Sequence, residues 1–554
     1  MAASAPTRPS WSPLIVISIA QVLLAFNITA LKISIDAIVT SHQTSPSAVK
    51  NAIIVYSLVV AACVLIGAKI AAMFGGRRVF RSTMALFGAA MVAMVLGTDA
   101  RMMMIAQAAA GAAAAVMGPT AIVLAAQHYA DRQAQIAGWL SAVRSASLIC
   151  AFLIAGAFAT WSDWRLTYVL LLILAGVAFK LGDRLSERNA RIDLRALAVD
   201  KVGFILIVAA LWLIGLGCEN LIDWGVLIAK PHAPFSLVML SPAFIVIAVG
   251  VLLVKAFLAW SYKQRMAGRA TLVAPELLST SPERSALFSI FTIAAVGSAV
   301  TFLIPLYIEV VQGRNSVYTA LALAPYTIAA FCAAILSSRM HGRIPRRRIA
   351  RASFLALAVG LALLATVIRN DWSDLNVVVS LSIVGAAEGA LMTLLFKMIA
   401  STTRAEAATE VDPLCSATTH LAIGVGTALA GALVVGLLSI SVQQKLSSDP
   451  LFAQTLREHV DLDRVAFVSN DRLREVLEHS YTSAEHIDEA VRINTQARLR
   501  ALKSSFFALS MLALIAVIPY ARSRDGTPSE RPWRDEARRA GAHEQPLSGP
   551  SMSP

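Results

Sequence analysis

Charge is what this sequence has least of. Only 15% of its 554 residues are Asp, Glu, Lys or Arg, too few to give a soluble fold of this length a polar surface. Its five cysteines (Cys63, Cys150, Cys218, Cys332, Cys415) are scattered within or beside apolar stretches, so neither a disulfide framework nor a metal cluster is implied. No Gly-rich phosphate loop ending in Lys-Ser or Lys-Thr occurs, which argues against ATP hydrolysis within the chain. No His/Cys set has metal-ligand spacing and no Gly-x-Ser-x-Gly elbow appears. These absences point away from an enzyme, and no cofactor is implied.

What fills the space is apolar. Hydrophobic residues make up 57% of the chain and the mean hydropathy is +0.67. A hydrocarbon core of ~30 Å needs about 20 apolar residues per helix, and about fourteen such runs recur. Expected spans are 13–37, 50–73, 79–98, 102–128, 133–159, 166–182, 200–218, 236–260, 285–311, 316–338, 349–368, 375–399, 411–440 and 504–521. Lipid leaves no partner for an open backbone, so each run is expected to be helical.

The formal charge of +14 could suggest nucleic acid, but its distribution does not. Basic residues gather in every other loop: Arg77, Arg78 and Arg81; Arg184 to Lys201; Lys263, Arg265 and Arg269; Arg339 to Arg351; and the tail from Arg522. That alternation is the positive-inside pattern. It predicts a multi-pass protein of the plasma (inner) membrane with both termini cytoplasmic, a lipid bilayer as its surroundings, and no nucleic-acid partner. A monomeric state is the expectation.

The pattern divides into 1–182, six spans; 183–260, an amphipathic cytoplasmic linker and a central helix pair; 261–523, six more spans; and 524–554, a Pro-, Gly- and Arg-rich tail expected to be disordered. The third part includes a polar stretch, 441–503, expected on the outer side with helical periodicity.

Four local motifs carry a resemblance. Lys69 to Arg78, ending Gly75-Gly76-Arg77-Arg78, follows the second span; Gly111 and an Ala run to Gly118-Pro119 mark the fourth. Trp161-Ser162-Asp163-Trp164-Arg165 joins the fifth and sixth, and Pro305-Leu306-Tyr307-Ile308-Glu309 ends the ninth. Together with the span count, they resemble the major facilitator superfamily, in particular its fourteen-span drug:proton antiporter branch. The resemblance implies an all-α fold of two six-helix bundles plus two central helices. It also implies a secondary transporter that works by alternating access, moves a small-molecule substrate against a proton or other coupling ion, and is directed to multidrug-like efflux. The chain departs from the branch in its charges: the signature's loop Asp and first Arg are absent, the fourth-span Arg and Gln fall on Gln107 and Ala110, the first-span acid on Asn27 and a neighbouring Asn on Lys32. A transport-inactive sensor or adaptor with a transporter fold is the alternative.

An ionisable side chain near mid-bilayer costs ~2.5–3.5 kcal/mol on insertion scales, so each one is a candidate site. Arg144 lies about 16 Å into the fifth span at 1.5 Å per residue. Glu388, among small residues, lies about 21 Å from the outer end of the twelfth; it and Arg144 are expected to form a charged pair governed by proton or substrate. His420 in the thirteenth span is of a residue type that can titrate near neutral pH. Lys32 and Asp36 are an i,i+4 pair near the outer end of the first span, where a lysine can snorkel. Asn27 joins this substrate- or proton-coupling set, and Gly75, Arg77 and Arg78 form a gating loop at the cytoplasmic side. Lys32 and Arg144 would suit an anionic or amphipathic substrate. Glu309 counts out near the outer surface and carries little weight.

Overall fold

The computed structural model describes residues 11–129, 133–185, 200–339, 346–402, 408–448 and 484–518, apart from 231–232, 236–238, 270, 274–276, 278–280 and 370. The amphipathic linker expected within 183–199, the middle of the 441–503 stretch and the expected disordered tail therefore lie largely or wholly outside the described residues.

The described chain is helical. Its helices are α1 (Ser12–Ile33), α2 (Ile35–His42), α3 (Pro46–Phe74), α4 (Gly76–Leu96), α5 (Ala100–His128), α6 (Gln133–Trp161) and α7 (Arg165–Leu181). The central stretch holds α8 (Lys201–Glu219), the short α9 (Leu221–Trp224) and α10 (Pro242–Met266). There follow α11 (Ser281–Pro305), continued by a π-helical turn at Leu306–Val311, then α12 (Ser316–Arg339), α13 (Arg346–Val367), α14 (Leu375–Thr402), α15 (Ala408–Ser448) and α16 (Ala484–Ile515). Local chemistry sets several starts. Pro lies in the first turn of α1, α3 and α10, where its missing N–H costs nothing. The Asp99 and Asp200 carboxylates cap α5 and α8 by accepting from Met102 N at 2.7 Å and Gly203 N at 2.9 Å.

Twelve of the described helices are long and apolar enough to cross a membrane. They match twelve of the expected spans. The other two expected positions are also helical: α7 has 17 residues, about 25 Å of rise, and α16 carries the 504–521 run on its C-terminal part. Large side chains such as Ile205, Trp212 and Leu252 point outward at more than half exposure, as lipid-facing positions do.

Several boundaries differ from expectation; α10, for one, spans Pro242–Met266 rather than 236–260. The first span ends at Ile33, because Ser34 leaves helical geometry (φ −121°, ψ 25°) before α2 restarts. α15 runs to Ser448, past the apolar stretch, and α16 begins at Ala484. The expected outer loop 441–503 is thus helix at both its ends.

Small residues set the packing. α3 lies on α5 and α15, α12 on α14, α11 on α15, and α6 on α12 and α1. At Gly111 an added methyl would stand 2.8 Å from the Tyr56 carbonyl, so only glycine lets α5 come this close to α3. Gly385 and Gly389 do the same for α14, facing the carbonyls of Tyr326 and Ala330 on α12.

Candidate functional site

The first charged cluster forms where α1 meets α11 and α14. Lys32, in the last turn of α1, is only 5% exposed. It does not snorkel and does not pair with Asp36. The break at Ser34 ends the i,i+4 register, and Lys32 instead turns inward to donate from Nζ to Ser298 Oγ at 3.1 Å and Thr301 Oγ1 at 2.9 Å. Ser298 is itself tied to α15, through the Ile423 carbonyl (3.1 Å) and Thr427 Oγ1 (2.9 Å).

Glu388 reaches the same turn of α11 from the other side. Its carboxylate lies directly against Gly297, where a methyl group would overlap both oxygens, and Tyr326 Oη on α12 donates to Oε2. Lys32 and Glu388 act on each other electrostatically across this turn. A carboxylate and an ammonium drawn from water are stabilised only by such partners. Coupled charges on one helix turn can hold a proton in one arrangement and release it in another.

Arg144 and Glu388 are not brought together. Arg144, near the middle of α6, acts instead on Asp412 and His420 of α15 and on Tyr56 of α3. The pair expected from sequence separates into two clusters, each with its own acid.

Asn27, at the branch's acidic position, is fully buried and paired with Gln107: Nδ2 donates to Oε1 at 2.8 Å, and Gln107 Nε2 returns a bond to Oδ1 at 3.4 Å. Two positions for which the resemblance implies charges are neutral here, and each amide pairs with the other. Asp36 has an exposed side chain, while its backbone N–H donates to Glu309 Oε2 at 3.3 Å. Glu309 is 1% exposed and sits in the π-helical turn. Beside Asp36 it is enclosed by protein rather than open at the surface.

In the loop Gly75 to Arg78, Gly75 adopts φ +88° between α3 and α4, the left-handed side that glycine tolerates. Arg77 and Arg81 both donate to Asp183 Oδ1, at 2.9 and 2.6 Å, just after α7. The Arg77 hydrogen bond holds the Asp183 carboxyl below the usual carboxylate range. Arg78 is exposed. The contacts of this loop therefore run to α7 within the N-terminal part.

Sequence reasoning missed Gly297, Ser298, Thr301, Tyr326 and Gln107 as partners. A hydroxyl beside glycine in an apolar run, as in Gly297-Ser298, was the signal available.

Helices long and apolar enough to cross a membrane, enclosing ionisable side chains around a shared core, make this a multi-pass membrane protein. The Major Facilitator Superfamily pattern matches residues 17–427, and the chain belongs to that family. It is similar to the "Probable actinorhodin transporter" of Streptomyces coelicolor, 23% identical over 448 residues that span 78% of this chain and 74% of that protein. It is also similar to the "Puromycin resistance protein pur8" of Streptomyces alboniger, 24% identical over 66% of this chain and 69% of that one. Among solved structures, an auto-inhibited POT family peptide transporter aligns with a TM-score of 0.58 at 13% identity, covering 94% of this chain and 98% of that one. A bacterial homologue of the human lysosomal transporter Spinster, inward-facing and unoccupied, aligns at 0.57 and 13% identity over 94% and 97%. The fold is shared with both.

Proposed function

We propose that this chain is a proton-coupled exporter of the fourteen-span branch, carrying a small amphipathic or anionic compound by alternating access. It resides in the plasma membrane with both termini cytoplasmic. Residues 1–182 and 261–523 form two six-helix bundles, 183–260 a linker with two central helices, and 524–554 a tail. The observation that carries this reading is Lys32 on α1, held by Ser298 and Thr301 of α11 beside Glu388 of α14. An ammonium from the N-terminal helices thereby meets a carboxylate of the C-terminal helices at one helix turn. Protonation of Glu388 removes its hold on Lys32 and loosens one contact between the bundles, so proton occupancy biases the inward and outward states.

The relatives named for actinorhodin transport and puromycin resistance support efflux as the direction. A vesicle panel tests it. Inverted membrane vesicles energised by a pH gradient are expected to accumulate at least one compound among puromycin, lincomycin and hydroxylated anthraquinones, and Glu388→Gln is expected to lower gradient-driven accumulation at least tenfold. Accumulation of none of them, with the protein folded and inserted, favours the sensor or adaptor alternative. Equal accumulation by wild type and Glu388→Gln removes Glu388 from the mechanism.

A further inference from the structure

The second cluster has the features of a binding pole. Gly111 of α5 admits α3 at Tyr56, and Gly424 of α15 lies against Ser57 and Leu58 of the same turn. This sandwich sets Tyr56 beside His420, with ring centroids 6.2 Å apart and planes at 60°. Tyr56 is fully buried, yet its hydroxyl has no hydrogen-bond partner among the described residues, and neither has His420 Nδ1. A buried polar atom left without a partner is costly and in a native structure calls for an explanation. Arg144 stands within electrostatic reach of both, its side chain exposed and in no ion pair among the described residues. The half-buried Asp412 is an acid that interacts with it.

The donor inventory decides what fits. A guanidinium offers five N–H donors and no acceptor, a phenol one O–H, and an imidazole an N–H at Nδ1 in one tautomer. Three donor-bearing groups from α3, α6 and α15 thus lie within electrostatic reach of one another, and among the described residues no acceptor receives the Tyr56 hydroxyl or His420 Nδ1. We propose that Arg144, Tyr56 and His420 receive the oxyanion end, a carboxylate or phenolate, of the exported molecule, whose flat apolar body lies along the Tyr56 and His420 rings. This rests on the reading of the chain as an exporter and specifies its substrate class. Asp412 then competes with the substrate for Arg144, so the site gives up its internal counter-charge when the anion arrives.

Equilibrium binding to the full-length protein in lipid nanodiscs tests the proposal. The probes are 2-naphthoate for the carboxylate, alizarin at pH 7.5 for the phenolate, 2-naphthamide as the neutral control and 2-naphthylmethylammonium as the cation. At least one anion is expected to bind saturably, and at least tenfold more tightly than the amide or the ammonium. Arg144→Ala is expected to weaken that anion at least tenfold, with partial recovery in Arg144→Lys. Tyr56→Phe should weaken it threefold or more at an unchanged melting temperature, because that hydroxyl has no partner among the described residues. Asp412→Asn is expected to tighten binding. No saturable anion binding, anion binding indifferent to Arg144→Ala and Tyr56→Phe, or preference for the ammonium would each overturn the assignment. Arg144-dependent anion binding without transport in proteoliposomes would leave this site standing and sink the exporter reading; transport indifferent to Arg144 would do the reverse.

Discussion

Gly297 has no side chain, and that is what lets the Glu388 carboxylate lie on the α11 backbone one residue from the hydroxyl that holds Lys32. Gly297→Ala should displace the carboxylate and lower gradient-driven transport about tenfold, equivalent to ~1.4 kcal/mol in the barrier, with little change in expression. Transport normalised to the amount of folded protein in the membrane checks this, and a wild-type rate would show that Glu388 does not need its seat. Lys32 and Glu388 were legible from sequence as candidates, since an ionisable group inside an apolar run stands out by its cost alone. Their surroundings were not. Ser298 lies 266 residues from Lys32 and Tyr326 lies 62 from Glu388, and nothing local encodes such meetings. A separation of 80 residues likewise hid the pairing of Asn27 with Gln107. Read singly, each looked like a lost charge; together they form one neutral buried pair.

At the scale of elements, helix positions were legible and helix ends less so. Hydropathy marks where lipid needs a helix, while α15 continues through Gln443, Gln444 and Lys445, straight-chain residues with good helix propensity that carry no apolar signal. The break at Ser34 was equally silent in the apolar pattern, and it changed the surroundings of Lys32 and Asp36. The loop between α3 and α4 is fastened to the end of α7 by Asp183, which accepts from both Arg77 and Arg81. Because the Arg77 bond depresses the Asp183 pKa, its stabilising effect is fully present above the ordinary carboxylate range and is lost as the pH falls through the lowered value. Asp183→Asn should therefore melt below wild type at pH 7, and the gap should close at a pH below about 4. Melting temperatures of both proteins across pH 3–7 in one detergent check it; a gap that persists or widens in acid would mean the carboxylate does not act through its charge.

For the whole molecule, the family pattern over residues 17–427 makes a transporter, and twelve of the described helices are long and apolar enough to cross a membrane. The proposed coupling asks one more thing of it: that the contact from α1 to α11 and α14 depend on a proton. The C-terminal helices bring Ser298, Thr301, Tyr326, Glu388 and Thr427 to Lys32, so the proposed coupling pair and its supporting hydroxyls form one network that crosses between the N-terminal and C-terminal helices. The second cluster, at Arg144, would then serve the cargo while the first serves the proton. The most direct measurement follows proton movement itself, with a pH-sensitive dye trapped in proteoliposomes and a transported compound added. Wild type is predicted to show compound-dependent proton flux that Lys32→Ala reduces and Glu388→Gln abolishes, with compound binding retained in both. Compound-dependent proton flux at the wild-type rate in Glu388→Gln would contradict the account.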